Sequence, residues 1–225
     1  MSDRDRFALR REHLLPENAQ RAIELFKAAG LEVTSPEARA ASLAETLEGV
    51  APDRDVWVFG YGSLMWNPAL HHAELVAGRV RGWHRRFCLW NTFGRGSPER
   101  PGLMLALERG GSCAGVGLRI AAADVRHELA LLWNREMLSG SYLPRWVRLS
   151  TPQGDVDAVT FVANRAHARY AGRLPAERVA QLLAHARGPL GGSREYLEQT
   201  VAELERHGVR DGEMHALLRA VRSLS

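Results

Sequence analysis

Cysteine is scarce in this sequence. Cys88 and Cys113 are the only cysteines among 225 residues, and they do not form a C-x-x-C motif. This excludes a disulfide framework and leaves no cysteine pattern for zinc, so both thiols are expected to be reduced and structural. The adjacent His71 and His72 lack the i, i+4 spacing of a helical metal site. No metal site is predicted.

Long apolar segments are absent as well. No apolar run approaches the roughly 18 residues that a transmembrane helix needs. Residues 1–20 also lack the apolar core of a signal peptide. We therefore expect a cytoplasmic protein that does not associate with membranes.

Lysine is almost absent, because Lys27 is the only one in the chain. A GxxxxGK[ST] phosphate-binding loop is therefore impossible, and Lys27 lies in a predicted surface helix, where it is a poor candidate for a Schiff base. The positive charge is nearly all arginine, which raises the isoelectric point to about 9.6 although the net charge is only +4. With no RRM, KH or helix-turn-helix pattern in the sequence, no nucleic-acid partner is predicted.

Length and composition fit one globular domain with an N-terminal extension. A chain of 225 residues with 45% hydrophobic and 25% charged residues has the composition of an ordinary globular protein. Helical patterns cover residues 16–29 and 35–48, and each is followed by a glycine. We therefore predict a helical extension at residues 1–52 and a main domain at residues 53–225.

The segment VFGYGSLMWNP, residues 58–68, is the most informative part of the chain. A predicted strand ends at Gly60, and a loop follows in which Gly60 and Gly62 flank Tyr61. The free amides of this loop, together with the hydroxyl of Ser63, can hold an anion or a carbonyl oxygen. The sequence therefore predicts a ligand-binding loop.

Two common motifs do not fit this loop. A dinucleotide-binding GxGxxG would need glycine at Met65, and a serine-hydrolase GxSxG would need glycine in place of both Tyr61 and Met65. Ser63 is therefore predicted to contact a ligand rather than to act as a nucleophile.

A second informative segment is DVRHELALLWNREMLSG, residues 124–140, which predicts a helix of about four turns capped by Asp124. At 100° per residue its apolar side chains gather on one face, with Glu136 in the middle: Val125, Leu129, Leu132, Trp133 and Met137. An inward carboxylate is costly unless it is paired or used, because burial raises its pKa. From the residues alone, Glu136 is equally a general base or the partner of one of the many arginines.

The remaining elements follow from shorter patterns. Turn formers predict a loop at residues 91–102 and a hairpin turn at residues 109–112. Strands are predicted at residues 55–59, 78–90 (one long or two short), 103–108, 114–120, 145–149 and 156–163; helices are predicted at residues 175–187, 193–207 and 213–224, with Ser193 as an N-cap.

Three motifs in this order resemble one family. The GYGSL segment and its continuation to Pro68 resemble the signature of ChaC-type, glutathione-specific γ-glutamylcyclotransferases. Residues 95–102, RGSPERPG, are similar to the family's RGTPxxPGR, with Leu103 where arginine is usual, and GPLGGSREYL at residues 188–197 is similar to GPxGxxxEYL. The resemblance runs from Val56 to the C-terminus and implies an α+β fold: a small mixed β-barrel of the γ-glutamylcyclotransferase-like type with flanking helices.

The resemblance also implies a reaction. Glu136 in the NREM segment matches the family's catalytic glutamate, and the substrate-binding residues carried over are Gly60, Tyr61, Gly62, Ser63, Leu64, Met65 and Tyr196. The implied activity is cleavage of glutathione to 5-oxoproline and cysteinylglycine, a lyase reaction. Intramolecular attack by the substrate's own amine needs one base and oriented donors, so no cofactor is expected. A monomer is expected.

Three other functions remain open from the sequence. The same cyclisation could act on other γ-glutamyl amines or amino acids, because nothing in the chain reveals the leaving-group pocket. A non-catalytic module could sense an anionic metabolite through the same loop, although it would have little reason to keep an inward Glu136. A nucleic-acid binder would show steeply salt-dependent affinity.

Overall fold

The computed structural model describes residues 11–224, which form a five-stranded barrel surrounded by helices. A 3₁₀ turn, Arg11–Leu14, precedes two helices, α1 Pro16–Ala28 and α2 Pro36–Thr46. The elements that follow are β1 Val56–Gly60, α3 Ser63–Trp66, β2 Glu74–Asn91, β3 Gly102–Ile120, a 3₁₀ turn Ala122–Asp124, α4 Val125–Glu136, β4 Tyr142–Thr151, β5 Gly154–Ala163, α5 Ala176–His185, β6 Arg187–Gly188, β7 Gly191–Gly192, α6 Ser193–Arg206 and α7 Gly212–Ser223. The predicted α+β barrel with flanking helices is confirmed.

The barrel closes around β1. The strand order is β1-β3-β2-β4-β5, and β1 completes the ring by pairing in parallel with β5. Val58 and Phe59 of β1 are fully buried, as expected for β-branched and aromatic side chains in a strand covered on both faces. The end of β1 therefore delivers Tyr61 and its neighbours to a fixed position at the mouth of the barrel.

The predicted hairpin at residues 109–112 is wrong. β3 runs through this segment without interruption and pairs with β2 on both sides of it. Gly110 and Gly111 have φ angles of +101° and +68°, and Gly82 on the facing strand has a φ of +80°. Positive φ at facing glycines bends both strands at the same level instead of reversing the chain. The reversal lies before β3, in the predicted loop.

Helix α4 is shorter than its sequence predicts. It ends at Glu136 rather than near Gly140, and Asp124 belongs to the preceding 3₁₀ turn and does not cap the helix through its side chain. Gly140 instead has a φ of +68° in the connection to β4. The apolar face is buried as predicted, and Trp133 makes an edge contact with Phe161 at 5.2 Å between ring centroids. Glu136 is thus the last residue of the helix.

Two further local predictions need correction. Residues 60–68, the glycine segment, are not all loop. Ser63–Trp66 form the single turn α3, in which the Met65 N–H donates to the Gly62 carbonyl at 2.9 Å. Ser193 is the first residue of α6 rather than its N-cap. Its hydroxyl is used elsewhere, since it donates to the Arg95 carbonyl at 2.8 Å.

The N-terminal region packs along α4. Both carboxylate oxygens of the buried Glu128 accept hydrogen bonds from Arg11, at 2.5 and 2.6 Å. In α2, the Arg39 side chain donates to Asn134, and Ser42 accepts from the Trp133 indole at 3.2 Å. These polar contacts fix the region against the main domain; residues 1–10 of the predicted extension lie outside the described residues. Between residues 11 and 224, no helix is long and apolar enough to cross a membrane.

A buried charge cluster holds β2 against the segment after β5. Glu108 is 2% exposed and accepts hydrogen bonds from Arg86 at 2.8 Å, Arg165 at 2.8 Å and the Tyr170 hydroxyl at 2.5 Å. Burial raises the pKa of Glu108, but the hydrogen bonds from Tyr170 and Arg165 outweigh it and hold the pKa below its ordinary value. The ionised carboxylate therefore stabilises the folded state.

We expect Glu108→Gln to lower the free energy of unfolding by about 3 kcal/mol, because its partners lose their buried counter-charge. Since the folded-state pKa is lowered, the stabilisation is present above the unfolded-state pKa of about 4.3 and is lost as the pH falls through the folded-state value. Urea unfolding between pH 3 and 7 measures both effects.

Asp157→Asn, which removes an exposed ion pair with Arg148, is the control and should change stability by less than about 1 kcal/mol. Equal stability of the two variants at pH 7 would contradict this role.

Candidate active site

A cavity of about 900 Å³ opens at the mouth of the barrel. Its wall combines the turn after β1, the C-terminal end of α4, the start of α6 and the loop between β2 and β3. Side chains from these four places meet there: Tyr61, Arg95, Glu136 and Tyr196. The topology thus brings together the three motifs that the sequence singles out.

Glu136 lies in this cavity with its side chain only 15% exposed. Burial raises the pKa of Glu136, while the charge and hydrogen bond of Arg135 oppose the shift in part. The Arg135 Nε lies 2.9 Å from Oε1 of Glu136. The arginine partner that the sequence left open for Glu136 is therefore present, and the paired carboxylate also lines the cavity.

Arg135 also binds the glycine segment. Its guanidinium donates to the Ser63 hydroxyl at 2.8 Å, to the Asn67 carbonyl at 2.6 Å and to the Pro68 carbonyl at 3.1 Å. The side chain is 7% exposed, so these contacts are shielded from water. One arginine therefore fixes the distance between the carboxylate and the turn after β1.

Only some residues of the predicted substrate-binding segment line the cavity. Tyr61, Gly62, Ser63 and Leu64 line the cavity. Gly60 ends strand β1, and Met65 is 2% exposed in the core, so among the described residues these two support the wall from behind. The Tyr61 hydroxyl donates to the Phe161 carbonyl at 2.7 Å, which anchors the segment to β5.

Tyr196 faces the same segment from α6. It is 2% exposed, and a Cβ built on Gly62 would lie 2.7 Å from its hydroxyl, so only glycine fits at that position. Burial raises the pKa of Tyr196 to about 12, with Glu136 adding to the shift. The hydroxyl is therefore protonated at neutral pH. Its oxygen lies beside the backbone N–H of Ser63.

The loop between β2 and β3 supplies Arg95. Its guanidinium carbon lies 5.3 Å from the Tyr196 ring centroid and 5.8 Å from that of Trp66, and it donates to the Gly192 carbonyl at 3.1 Å. Burial lowers the pKa of Arg95. Asn91 closes the loop by accepting hydrogen bonds from successive backbone N–H groups, including that of Gly94 at 2.9 Å.

Sequence reasoning did not identify Tyr142, Arg135 or Arg169 as site residues. Tyr142 lines the cavity and its hydroxyl donates to the Leu105 carbonyl at 2.7 Å; burial, with Glu136 adding to it, raises its pKa well above the ordinary value. No local motif marks Tyr142 or Arg169. Arg135 could have been suspected from its position beside Glu136.

Glu136 is the least exposed of the three glutamates that line the cavity, and the site also offers neutral tyrosine hydroxyls and buried or half-buried guanidinium groups. This set can accept a proton, orient anionic groups and stabilise developing negative charge. Among the described residues, no cluster of histidine, cysteine, aspartate and glutamate could hold a metal ion.

Comparisons with known proteins point to one family. A family model described as ChaC-like protein matches residues 56–224. The glutathione-specific gamma-glutamylcyclotransferase of Escherichia coli is 46% identical over 191 residues, covering 84% of this chain and 83% of that protein. Glutathione-specific gamma-glutamylcyclotransferase 1 of Mus musculus is 32% identical, covering 82% of this chain and 86% of that protein. Both matches cover more of the chain than residues 56–225 supply, so the similarity extends into the N-terminal helical region.

A solved structure shows the same fold. The yeast gamma-glutamyl cyclotransferase specific to glutathione superposes with a TM-score of 0.70 at 20% identity, covering 75% of this chain and 96% of that one.

We expect Arg135→Met to raise the pKa of Glu136 further, because the positive charge that opposes the burial effect is removed. The infrared difference spectrum between each protein and its Glu136→Gln counterpart isolates the Glu136 carboxyl band, and its pH titration gives the pKa. Arg145→Met, on an exposed part of β4, is the control and should leave the titration unchanged. A pKa that stays constant or falls in Arg135→Met would contradict the assigned coupling.

Proposed function

Because the chain belongs to the ChaC-like family, we propose that it is a lyase that cleaves glutathione by cyclisation of the γ-glutamyl group, giving 5-oxoproline and cysteinylglycine. The E. coli relative, 46% identical over most of both chains, carries this activity in its name. The single observation that carries the mechanism is the position of Glu136, a buried carboxylate inside a cavity that the glycine segment also lines. The alternative of a non-catalytic anion sensor gives no reason for this acid.

The cavity has the size and charge that glutathione requires. Ligand pockets of about 300–1,000 Å³ are typical for small molecules, and this one holds about 900 Å³. Arg95 and Arg169 line it, both have pKa values lowered by burial, and neither forms an ion pair with a described residue. We assign these two guanidinium groups to the substrate's two carboxylates, and Glu136 to its α-ammonium group.

The reaction needs protons to move from the substrate's α-ammonium group to the nitrogen of the leaving amine. Glu136 accepts a proton from the α-ammonium group, and the freed amine attacks the γ-carbonyl carbon to form a five-membered ring. The carbonyl oxygen becomes an oxyanion, which the backbone amides of the Gly62–Leu64 turn stabilise. As the C–N bond breaks, Glu136 returns the proton to the leaving amine of cysteinylglycine; the ring nitrogen loses a second proton as it becomes an amide, and this proton also passes to the leaving amine, which is released as an ammonium group. No water is consumed and no electron is transferred.

The raised pKa of Glu136 suits this double role. A general base works best when its pKa lies near the operating pH, since it must be ionised to accept the proton and acidic enough to return it. The charge and hydrogen bond of Arg135 oppose the burial effect in part and so favour the ionised form of the carboxyl group. Tyr196, Gly62 and Ser63 then position the γ-glutamyl group beside the base.

The N-terminal region, for which we propose the bounds 1–52, completes the wall. Leu14 and Phe26 line the cavity, and Phe26 contacts Phe93 at 5.0 Å between ring centroids. We assign this part of the wall to the leaving dipeptide. We further propose that the protein is cytoplasmic and acts as a monomer, with all lining residues supplied by one chain.

We expect Glu136→Gln to lower kcat for glutathione by about 100- to 10,000-fold, the usual contribution of a general base. In the wild type, activity should fall as the pH drops through the pKa of Glu136, because the base becomes protonated. The assay follows 5-oxoproline and cysteinylglycine released by the purified protein. A panel of other γ-glutamyl amino acids and amines tests the leaving-group specificity.

Glu198→Gln is the matched control. Glu198 also lines the cavity, but its carboxylate is bound by Arg194 and Arg222 at the surface, so its loss should change kcat by less than about twofold. Wild-type turnover by Glu136→Gln would refute the assigned base. A folded wild-type protein that releases 5-oxoproline from no γ-glutamyl compound would refute the proposed function.

We expect Tyr196→Phe to lower kcat/KM by about 10- to 150-fold, because a hydrogen bond to a charged group is worth about 1.5–3 kcal/mol. The ring and its contacts with Trp66 are retained, so the fold should be unaffected. The comparison is Tyr170→Phe, which removes a hydroxyl from the Glu108 cluster outside the cavity and should change stability but not kcat/KM. Equal kcat/KM values for Tyr196→Phe and the wild type would show that the hydroxyl does not contact the reacting group.

A further inference from the structure

Arg85 is a buried cation directly behind the turn after β1. It lies on β2, is 3% exposed and does not line the cavity. Its guanidinium donates to the carbonyl of Tyr61 at 2.5 Å and also to the carbonyl of Ala114 on β3. The charged group therefore binds the backbone of the segment that forms the site without reaching the site itself.

The contact with Tyr61 fixes a peptide plane. The bond between Tyr61 and Gly62 is trans, so its carbonyl and its N–H point in opposite directions. With the carbonyl held by Arg85 behind the wall, the N–H of Gly62 is turned to the side on which Gly62 lines the cavity. Within residues 11–224, no carbonyl or side chain accepts a hydrogen bond from this N–H. It is available to a ligand.

Asp211 holds Arg85 in turn. One of its carboxylate oxygens lies 3.0 Å from the Arg85 Nε, and the other caps helix α7 by accepting the Met214 N–H at 3.1 Å. Asp211 is 126 positions further along the chain, in the connection between α6 and α7. The ion pair therefore ties the C-terminal helices to the turn after β1.

We propose that Arg85 is a positioning residue that aims the Gly62 N–H at the oxyanion of the reaction, and that Asp211 fixes Arg85 for this purpose. The inference rests on the proposed function for its kinetic part. A purely structural ion pair would not require a guanidinium on the carbonyl of the residue that precedes Gly62. Burial of a cation is costly, and two neutral groups could hold the strands together more cheaply.

The variant that tests this inference is Arg85→Lys, since lysine keeps the charge but cannot bind both carbonyls and Asp211 from one planar group. Loss of one oxyanion donor lowers kcat about 100- to 1,000-fold, and a misdirected donor should lower it by about 10- to 100-fold. KM for glutathione should change less than threefold, because the donor acts mainly on the transition state. Asp211→Asn keeps an acceptor for the α7 cap and should lower kcat in the same direction.

Arg86→Lys is the matched control. Arg86 is the next residue on β2 and pairs with the buried Glu108, but it contacts no part of the site. Its replacement should lower the melting temperature and leave kcat within twofold of the wild type. Equal losses of kcat in Arg85→Lys and Arg86→Lys would reduce Arg85 to a structural role and overturn the proposal.

A second measurement does not depend on activity. Tyr61-Gly62 is the only Tyr-Gly pair in the sequence, so protein labelled with ¹³C-carbonyl tyrosine and ¹⁵N-glycine gives one carbonyl-coupled amide signal. Arg85→Lys and Asp211→Asn should shift this signal in the ligand-free protein, and Arg86→Lys should not. An unshifted signal in Arg85→Lys would overturn the proposal even if the protein cleaves glutathione. If the wild type cleaves no γ-glutamyl compound, the proposed function fails and this signal alone decides whether Arg85 orients the Gly62 peptide.

Discussion

A buried carboxylate needs a counter-charge, and Arg135 supplies it for Glu136. Glu136 ends helix α4, where the negative end of the helix dipole and burial both disfavour ionisation. The Arg135 Nε lies 2.9 Å from Oε1 of Glu136, and its other N–H groups donate to Ser63, Asn67 and Pro68. Glu136 still lines the cavity while it is paired.

The same contacts explain why the site can hold a fixed geometry. Glu136 is the last residue of α4, and the glycine segment follows β1; these are separate elements of the fold. Arg135 joins them from one side, while Arg85 and the Tyr61 hydroxyl attach the segment to β3 and β5. Three independent attachments hold one short turn in place, which is what a reaction that depends on orientation would require.

Local patterns predicted what depends on local physics. The 3.6-residue period of residues 124–140 predicted that Glu136 lies on the buried face, and the apolar run before Gly60 predicted strand β1 and a change of structure after it. The hairpin predicted at residues 109–112 was wrong because a Gly-Gly pair is compatible with both a hairpin turn and a bend within a strand. Only the facing Gly82, which also has a positive φ, distinguishes the two. Asp211 and Arg85 lie too far apart in sequence for any local signal, and Tyr142 carries none. These contacts follow from barrel closure, which no short window of sequence contains.

Arginine, which almost replaces lysine in this chain, has a specific use around the cavity. In the sequence, nearly all of the positive charge is arginine, which explains the high isoelectric point at a net charge of only +4. In the structure, buried or half-buried guanidinium groups each bind backbone carbonyls around the site: Arg39 on Thr34, Arg85 on Tyr61 and Ala114, Arg95 on Gly192, Arg135 on Asn67 and Pro68, and Arg169 on Trp90. A planar group with five donors can satisfy several carbonyls and still present charge to a ligand, whereas an ammonium group cannot match this geometry. The arginines around the cavity thus belong to the construction of the site.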